Sequence, residues 1–147
     1  MSDAGISARK EWMSVLAKAA PARLAALMPD LPEHAVLRAP EVGAVMLRGR
    51  ISTTGAPFNL GEMTVTRCSV RLVGGQVGHA WVQGRDKDHA KRAAVVDALM
   101  QSGDAARQRA TVIDVLSDEA AARAAIRAGK AAATKVDFFT LVRGEDQ

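Results

Sequence analysis

The sequence predicts an α+β fold in which an antiparallel sheet, centred on a long hairpin, is packed with an N-terminal helical hairpin and C-terminal helices. Three observations carry that expectation. Residues 62–73 alternate with the period of two of a half-buried strand, which sets Met63, Val65, Arg67, Ser69, Arg71 and Val73 on one face and Thr64, Thr66, Cys68, Val70 and Leu72 on the other. Gly74-Gly75 tolerates the positive φ that a tight two-residue hairpin turn requires, so residues 76–84 return as the second strand. Arg85-Asp86-Lys87-Asp88-His89 then opens a helix, with Asp86 as N-cap and Asp88 in a first turn favourable to negative charge.

In chain order, the first element is a helix from Ser7 to Ala20, because Trp12, Val15, Leu16 and Ala19 recur at helical spacing. Pro21 is tolerated in the first turn of a second helix, which Pro29 and Pro32 end. The apolar stripe of this pair (Trp12, Leu16, Leu24, Leu27) suits core packing better than a membrane or partner face. Strands follow at residues 35–38 and 42–51, with Pro40-Glu41 as a turn between them. The run 42–47 is apolar on both faces, as in a central strand covered on both sides by helices or by a partner. Residues 52–61 form the most turn-rich segment, and Phe58 within it is either an interaction site or a residue that the loop folds back and buries.

A two-residue turn at Gly74-Gly75 would set Arg71 opposite Gly78 and Arg67 opposite Val82, with Cys68 against Trp81 and Val70 against His79 on the helix-facing side. The helix from Asp86 runs to about Ser102, with Val96, Leu99 and Met100 inward and Gly103 as its stop. A short helical stretch covers residues 104–116, and Ser117 with Asp118 and Glu119 starts an alanine-rich last helix whose only large apolar residue is Ile126. The stretch 136–142, apolar on both faces, inserts into the sheet or lies against another chain. Together these make one domain, 1–147, composed of a helical hairpin (1–33), strands (35–84), helices (86–134) and a terminal strand (136–143).

Composition narrows the function classes. A net charge of +4 favours anionic partners, but the Lys and Arg residues are spread along the chain and aromatics reach only 3%, so a nucleic-acid partner is not expected. No run approaches the roughly 20 apolar residues of a membrane span, and the N-terminus lacks a secretory signal, so the expectation is a cytoplasmic protein without a membrane partner. Cys68 is the one cysteine, which excludes an internal disulfide and reads as a small buried hydrophobe on a strand. His34, His79 and His89 stand at no metal-ligand spacing, and no HExxH or CxxC occurs, so no metal site is expected within the chain. His79, beside Trp81, reads as a hydrogen-bonded structural histidine. Neither a GxSxG elbow nor a phosphate-cradling GxxxxGK[ST] is present, and the residues assign no catalytic group.

The best functional constellation is the turn 84–89, where Arg85, Lys87 and His89 gather at a helix start; its bland alternative is a solvated turn neutralised by Asp86 and Asp88. Arg67 and Arg71 are further anion-binding candidates. They lie about 13 Å apart on one strand face, too far to grip one phosphate jointly, and separate acidic partners such as Glu62 or a neighbouring subunit suit them better.

The stretch WVQGRDKDHA, preceded by VTRCSVRL and followed by VVDALMQ, resembles the signature of the PhnG family, the G subunits of the bacterial carbon–phosphorus lyase core complex. KVDFFTLVRGE near the C-terminus and RKEWMSVLAKA near the N-terminus extend the resemblance over nearly the whole chain in the family's order. The resemblance implies a subunit that assembles with H, I and J proteins, with K and L proteins also involved. The implied chemistry is transfer of ribose 5-triphosphate from ATP to methylphosphonate, giving α-D-ribose 1-methylphosphonate 5-triphosphate. The nucleosidase step is attributed to the I subunit, and carbon–phosphorus cleavage to the J protein. ATP is thus a substrate of the complex, and no cofactor is expected on this chain alone. The resemblance covers Gln83, Gly84, Arg85, Asp86, Lys87, His89 and Ala90 without assigning any of them a catalytic role. Two roles stay open: an anion-handling transferase subunit, or a purely structural subunit that holds the I protein. A free-standing anion-binding homo-oligomer is a third.

Overall fold

The structure, a computed structural model, describes residues 3–51 and 54–134. The expected strand at 136–143 lies outside the described residues. The chain divides into two compact units, 1–117 and 118–147. The first opens with α1 (Asp3–Lys18) and α2 (Pro21–Leu27), the helical hairpin that the proline positions predict. Trp12, Leu16 and Leu24 are buried in the core, so the apolar stripe is a packing face. The Arg92 guanidinium donates to the carbonyls of Met28 (2.8 Å) and Pro29 (3.1 Å), satisfying acceptors just beyond the C-terminal end of α2 where a cation is favoured.

Three antiparallel strands follow: β1 (His34–Gly49), β2 (Phe58–Leu72) and β3 (Val77–Gln83), in the order β1-β2-β3. This sheet is α+β as expected, but four details differ. The two short strands around Pro40 are one strand of 16 residues, because register shifts between Val36 and Arg38 and between Arg38 and Glu41 absorb the proline on an edge. Among the described residues β1 is an edge, so residues 42–47 are not a central strand there; β2 is central. Phe58 is neither looped out nor folded back: it starts β2, paired with Gly49.

The fourth difference is the hairpin register. Leu72 N donates to Gln76 O (3.0 Å) and Gly75 N to Leu72 O (2.9 Å), which makes a three-residue loop with Gly75 at φ 88°. The extra loop residue slides β3 by one position, and with a side-chain period of two this exchanges its faces. Arg67 therefore pairs with Trp81, Ser69 with His79, Cys68 with Ala80 and Val70 with Gly78. Gly78, Ala80 and Val82 turn to the core, while His79 and Trp81 are exposed. The choice is set by packing: a Cβ at Gly78 would stand 1.9 Å from the carbonyl oxygen of Ala94 and 2.6 Å from the amide nitrogen of Ala98, so only glycine lets the strand lie this close to the helix behind it.

That helix is α3 (Lys87–Leu99), the central element of the core. Asp86 caps it as predicted, its Oδ1 accepting from His89 N at 2.8 Å. Ala90, Ala93, Ala94 and Ala98 are buried, and these small residues let strands and helices approach from several sides. Instead of a fresh helix capped by Ser117, α4 (Ala105–Gln108) leads through a π-helical turn (Arg109–Ile113) into α5 (Asp114–Ala133), so Ser117 lies inside a helix and caps nothing. Gln108, Val112, Ile113 and Leu116 are buried in the first unit. In the second unit, the described residues from Asp118 are exposed almost throughout, including Ile126.

Candidate functional site

The turn 84–89 holds less than the sequence suggests. Gly84 takes φ 90°, and Thr66 donates its hydroxyl to the Gly84 carbonyl at 2.8 Å, so the backbone is firmly placed. Arg85 and Lys87 are exposed at the head of α3. His89 is not with them, which corrects the expected three-membered basic cluster. Asp86 at the cap makes His89 the third helical residue, seven positions before Val96 and on the same inward face. Its ring is buried, and Nε2 lies 3.0 Å from the Leu16 carbonyl, to which it donates. Nδ1 has no hydrogen-bond partner among the described residues. Burial pushes the His89 pKa down, against the opposing pull of the Leu16 carbonyl and Asp86, so the ring is neutral at pH 7. A neutral ring facing the core cannot greet an anion in solvent.

Arg67 and Arg71 lie on the open face of the sheet. Arg67 donates from Nε (3.1 Å) and Nη2 (2.9 Å) to one carboxylate oxygen of Glu41, and its Cζ stands 5.7 Å from the centre of the Trp81 ring. Its acidic partner is thus Glu41 of β1 and not Glu62. Arg71 is exposed without an ion-pair partner among the described residues, and Arg38, opposite Ser69, is likewise exposed. His79 is a surface residue whose Nδ1 lies 2.8 Å from the Ser69 hydroxyl, so it is hydrogen-bonded but not packed inside. Cys68 is buried with its Sγ 3.4 Å from the Arg38 carbonyl, and burial pushes the thiol pKa up. It is the inert strand residue that the sequence suggests.

The most organised polar group went unnoticed in the sequence. Asp97, fully buried on α3, accepts from Arg9 Nε (3.1 Å) and Trp12 Nε1 (2.9 Å) on Oδ1, and from Arg9 Nη2 (2.7 Å) and the His79 amide (2.8 Å) on Oδ2. Four donors fill the acceptor capacity of a carboxylate, so Asp97 has no lone pair to spare for proton transfer. Its work is to tie α1, α3 and β3 together. The signal was a charged residue inside the apolar run VVDALM, together with RKEW at the start of the chain.

Two surfaces remain that carry apolar area in the open. Between α1 and the edge of β3 lies a pocket of about 510 Å³ lined by residues such as Ile6, Met13, Leu16, Trp81, Val82 and Ala93. Beyond the reach of β3, which pairs only with residues 65–71, the outer halves of β1 and β2 form a two-stranded ribbon. Met46, Leu47, Phe58 and Leu60 are all exposed on it, Met46 by 55% and Leu60 by 57%. A lone two-stranded ribbon is marginal in water, and apolar residues on both faces mark it for contact. No helix among the described residues is long and apolar enough to cross a membrane.

The family described as "Phosphonate metabolism protein PhnG" matches residues 7–144. A relative from Rhizobium meliloti (strain 1021), named "Alpha-D-ribose 1-methylphosphonate 5-triphosphate synthase subunit PhnG", is 48% identical over 151 aligned residues that cover 98% of this chain and 94% of the relative.

Proposed function

Because this chain belongs to the PhnG family of phosphonate metabolism proteins, we propose that it acts as a subunit of an α-D-ribose 1-methylphosphonate 5-triphosphate synthase, contributing protein surface to a complex instead of a complete catalytic centre. Its place is in a multi-protein system of phosphonate metabolism. The observation that carries the subunit reading is the ribbon at the outer ends of β1 and β2, whose apolar residues face outward on both sides. Such an element gains its stabilisation only when another chain covers it. In the finer reading, that assembly contains the H, I and J proteins, with K and L proteins joining, and transfers ribose 5-triphosphate from ATP to methylphosphonate in the cytoplasm. This chain holds the reacting subunit in a competent shape.

Co-expression with the H, I and J proteins tests this directly. The chain should co-purify with them, and transfer from ATP to methylphosphonate, measured with and without it, should fall to background in its absence. Full transfer by the remaining proteins would remove the reading.

A second role is compatible with the exposed pair Arg85 and Lys87, beside Gly84, whose positive φ is one that glycine adopts freely. In the assembled complex these two cations contact the triphosphate. A charged hydrogen bond contributes about 1.5–3 kcal/mol, so Arg85→Ala should weaken ATP-dependent transfer by on the order of tenfold to a hundredfold while the complex stays whole. Dissociation of the complex at unchanged folding stability would instead make this turn an interface.

A further inference from the structure

The edge of β3 joins the apolar pocket to the open, arginine-bearing face of the sheet, and we propose that this continuous surface receives an acidic segment of another synthase subunit, with a bulky apolar side chain inserted between α1 and β3. The inference rests on the subunit reading above and adds a second docking surface, separate from the ribbon, with a stated chemistry for its occupant. Trp81 is the hinge of the argument. It is 49% exposed, lines the pocket and carries Arg67 over its ring. Tryptophan and arginine are among the residue types enriched where interface energetics are concentrated, and here the two stand together on an open surface.

Charge selects the occupant. Arg38, Arg67 and Arg71 lie on or beside this face, Lys10 stands at the pocket, and the carboxylate that the register brings among them, Glu41, is already held by Arg67. The surplus is positive. A second copy of the chain would bring arginines against arginines, which is repulsive, whereas carboxylates beside an apolar anchor complement both parts of the surface. Pocket chemistry argues against a free nucleotide or phosphonate as the occupant. A small polar ligand is fixed by a few buried, aimed polar groups, but the buried polar side chains of the described residues, Thr66, His89, Asp97 and Gln108, do not line this pocket. Its walls suit an apolar side chain, and its rim suits acids.

The test uses the full chain co-expressed with the other synthase subunits. A photo-crosslinking phenylalanine derivative placed at position 81 should, on irradiation, join the chain to one partner subunit, and peptide mapping should find the adduct in a stretch rich in Asp and Glu. Trp81→Ala should lower retention of that subunit by at least about tenfold, and the surface double variant Arg38→Glu with Arg71→Glu should lower it further as salt is reduced. Crosslinks confined to a second copy of the chain, or full retention of partners by both variants, would overturn the inference and leave the subunit reading intact. An intact complex that loses only transfer activity would assign the face to a small anion and also overturn it. Failure of the unsubstituted chain to co-purify with any subunit would bring down the subunit reading itself.

Discussion

The α3-centred core and the β1–β2 ribbon are built from similar apolar side chains and have opposite surroundings. In the core, Val70, Val82, Val95, Val96 and Val112 are buried, and the carboxylate of Asp97 meets four donors. In the ribbon, Met46 and Leu47 of β1 and Leu60 of β2 stand in solvent, although β2 runs on into the core. The difference lies in what can cover them. β3 pairs with β2 only over residues 65–71, so before residue 65 of β2 the sheet loses its third strand, and residues 58–62 there are exposed. Apolar residues on a strand therefore fall into two kinds, one buried within this chain and one that, under the proposed function, a partner subunit would cover.

Substitutions that empty the core should bring out the contrast most strongly. Asp97→Ala would leave Arg9, the Trp12 indole N–H and the His79 amide without their acceptor, and removing one partner of a buried ion pair costs about 3–5 kcal/mol. Urea unfolding of the isolated chain measures this. A loss below about 1 kcal/mol would mean that water replaces the carboxylate and that α1 is not locked to α3. Next in size, Gly78→Ala drives a methyl group against the α3 backbone and should cost about 1–3 kcal/mol by overpacking. A Gly78→Ala protein as stable as the parent would place β3 farther from α3 than the distances at Gly78 imply.

The core also carries a pH signature. Burial lowers the His89 pKa in the folded protein, while the unfolded chain titrates near the ordinary value of about 6.5. Between those two values the unfolded state binds a proton that the folded state refuses, so the contribution is fully favourable above about pH 6.5 and stability falls as pH drops below it. Unfolding free energies between pH 7.5 and 5 should decline, and the slope should flatten in His89→Gln. An unchanged slope in that variant would mean that His89 is accessible to protons in the folded state.

These regions were unequally legible in the sequence. The helical hairpin, the strand at 62–73 and the Asp86 cap follow from local rules: proline at the first helical turn, period-two alternation, and a carboxylate before a helix. The register of β3 did not follow from the glycine pair, because Gly74-Gly75 is compatible with loops of two or three residues. The alternation Gly78, Ala80, Val82 of small residues, facing an alanine-rich helix, is what distinguishes the two. His89 shows the same competition between a local pattern and packing. Charge grouped it with Arg85 and Lys87, whereas counting seven residues back from Val96 puts it inside. Asp97 was hidden because its side-chain partners, Trp12 and Arg9, lie 85 and 88 positions away, a distance no local rule spans. Pro40 misled in the other direction, since an edge strand can bulge around a residue that would break a central one.

The smallest expected effect on folding is the one that separates the two kinds of burial most cleanly. Met46→Glu with Leu60→Glu replaces two exposed apolar residues of the ribbon, neither of them in the buried core. Surface changes of this kind usually stay within about 0.5 kcal/mol each, with a small further loss from the weaker strand preference of glutamate. The urea midpoint of the isolated chain should scarcely move. Its association should move a great deal: the unsubstituted chain is expected to self-associate or to dissolve poorly through the ribbon, and the double variant should run as a smaller species in sedimentation. In the presence of the other synthase subunits, the same variant should lose them. A double variant that unfolds readily would show that the ribbon belongs to the core's cooperative unit. One that keeps every partner would leave the ribbon's apolar faces with no role in assembly, and the comparison drawn between core and ribbon would then rest on stability alone.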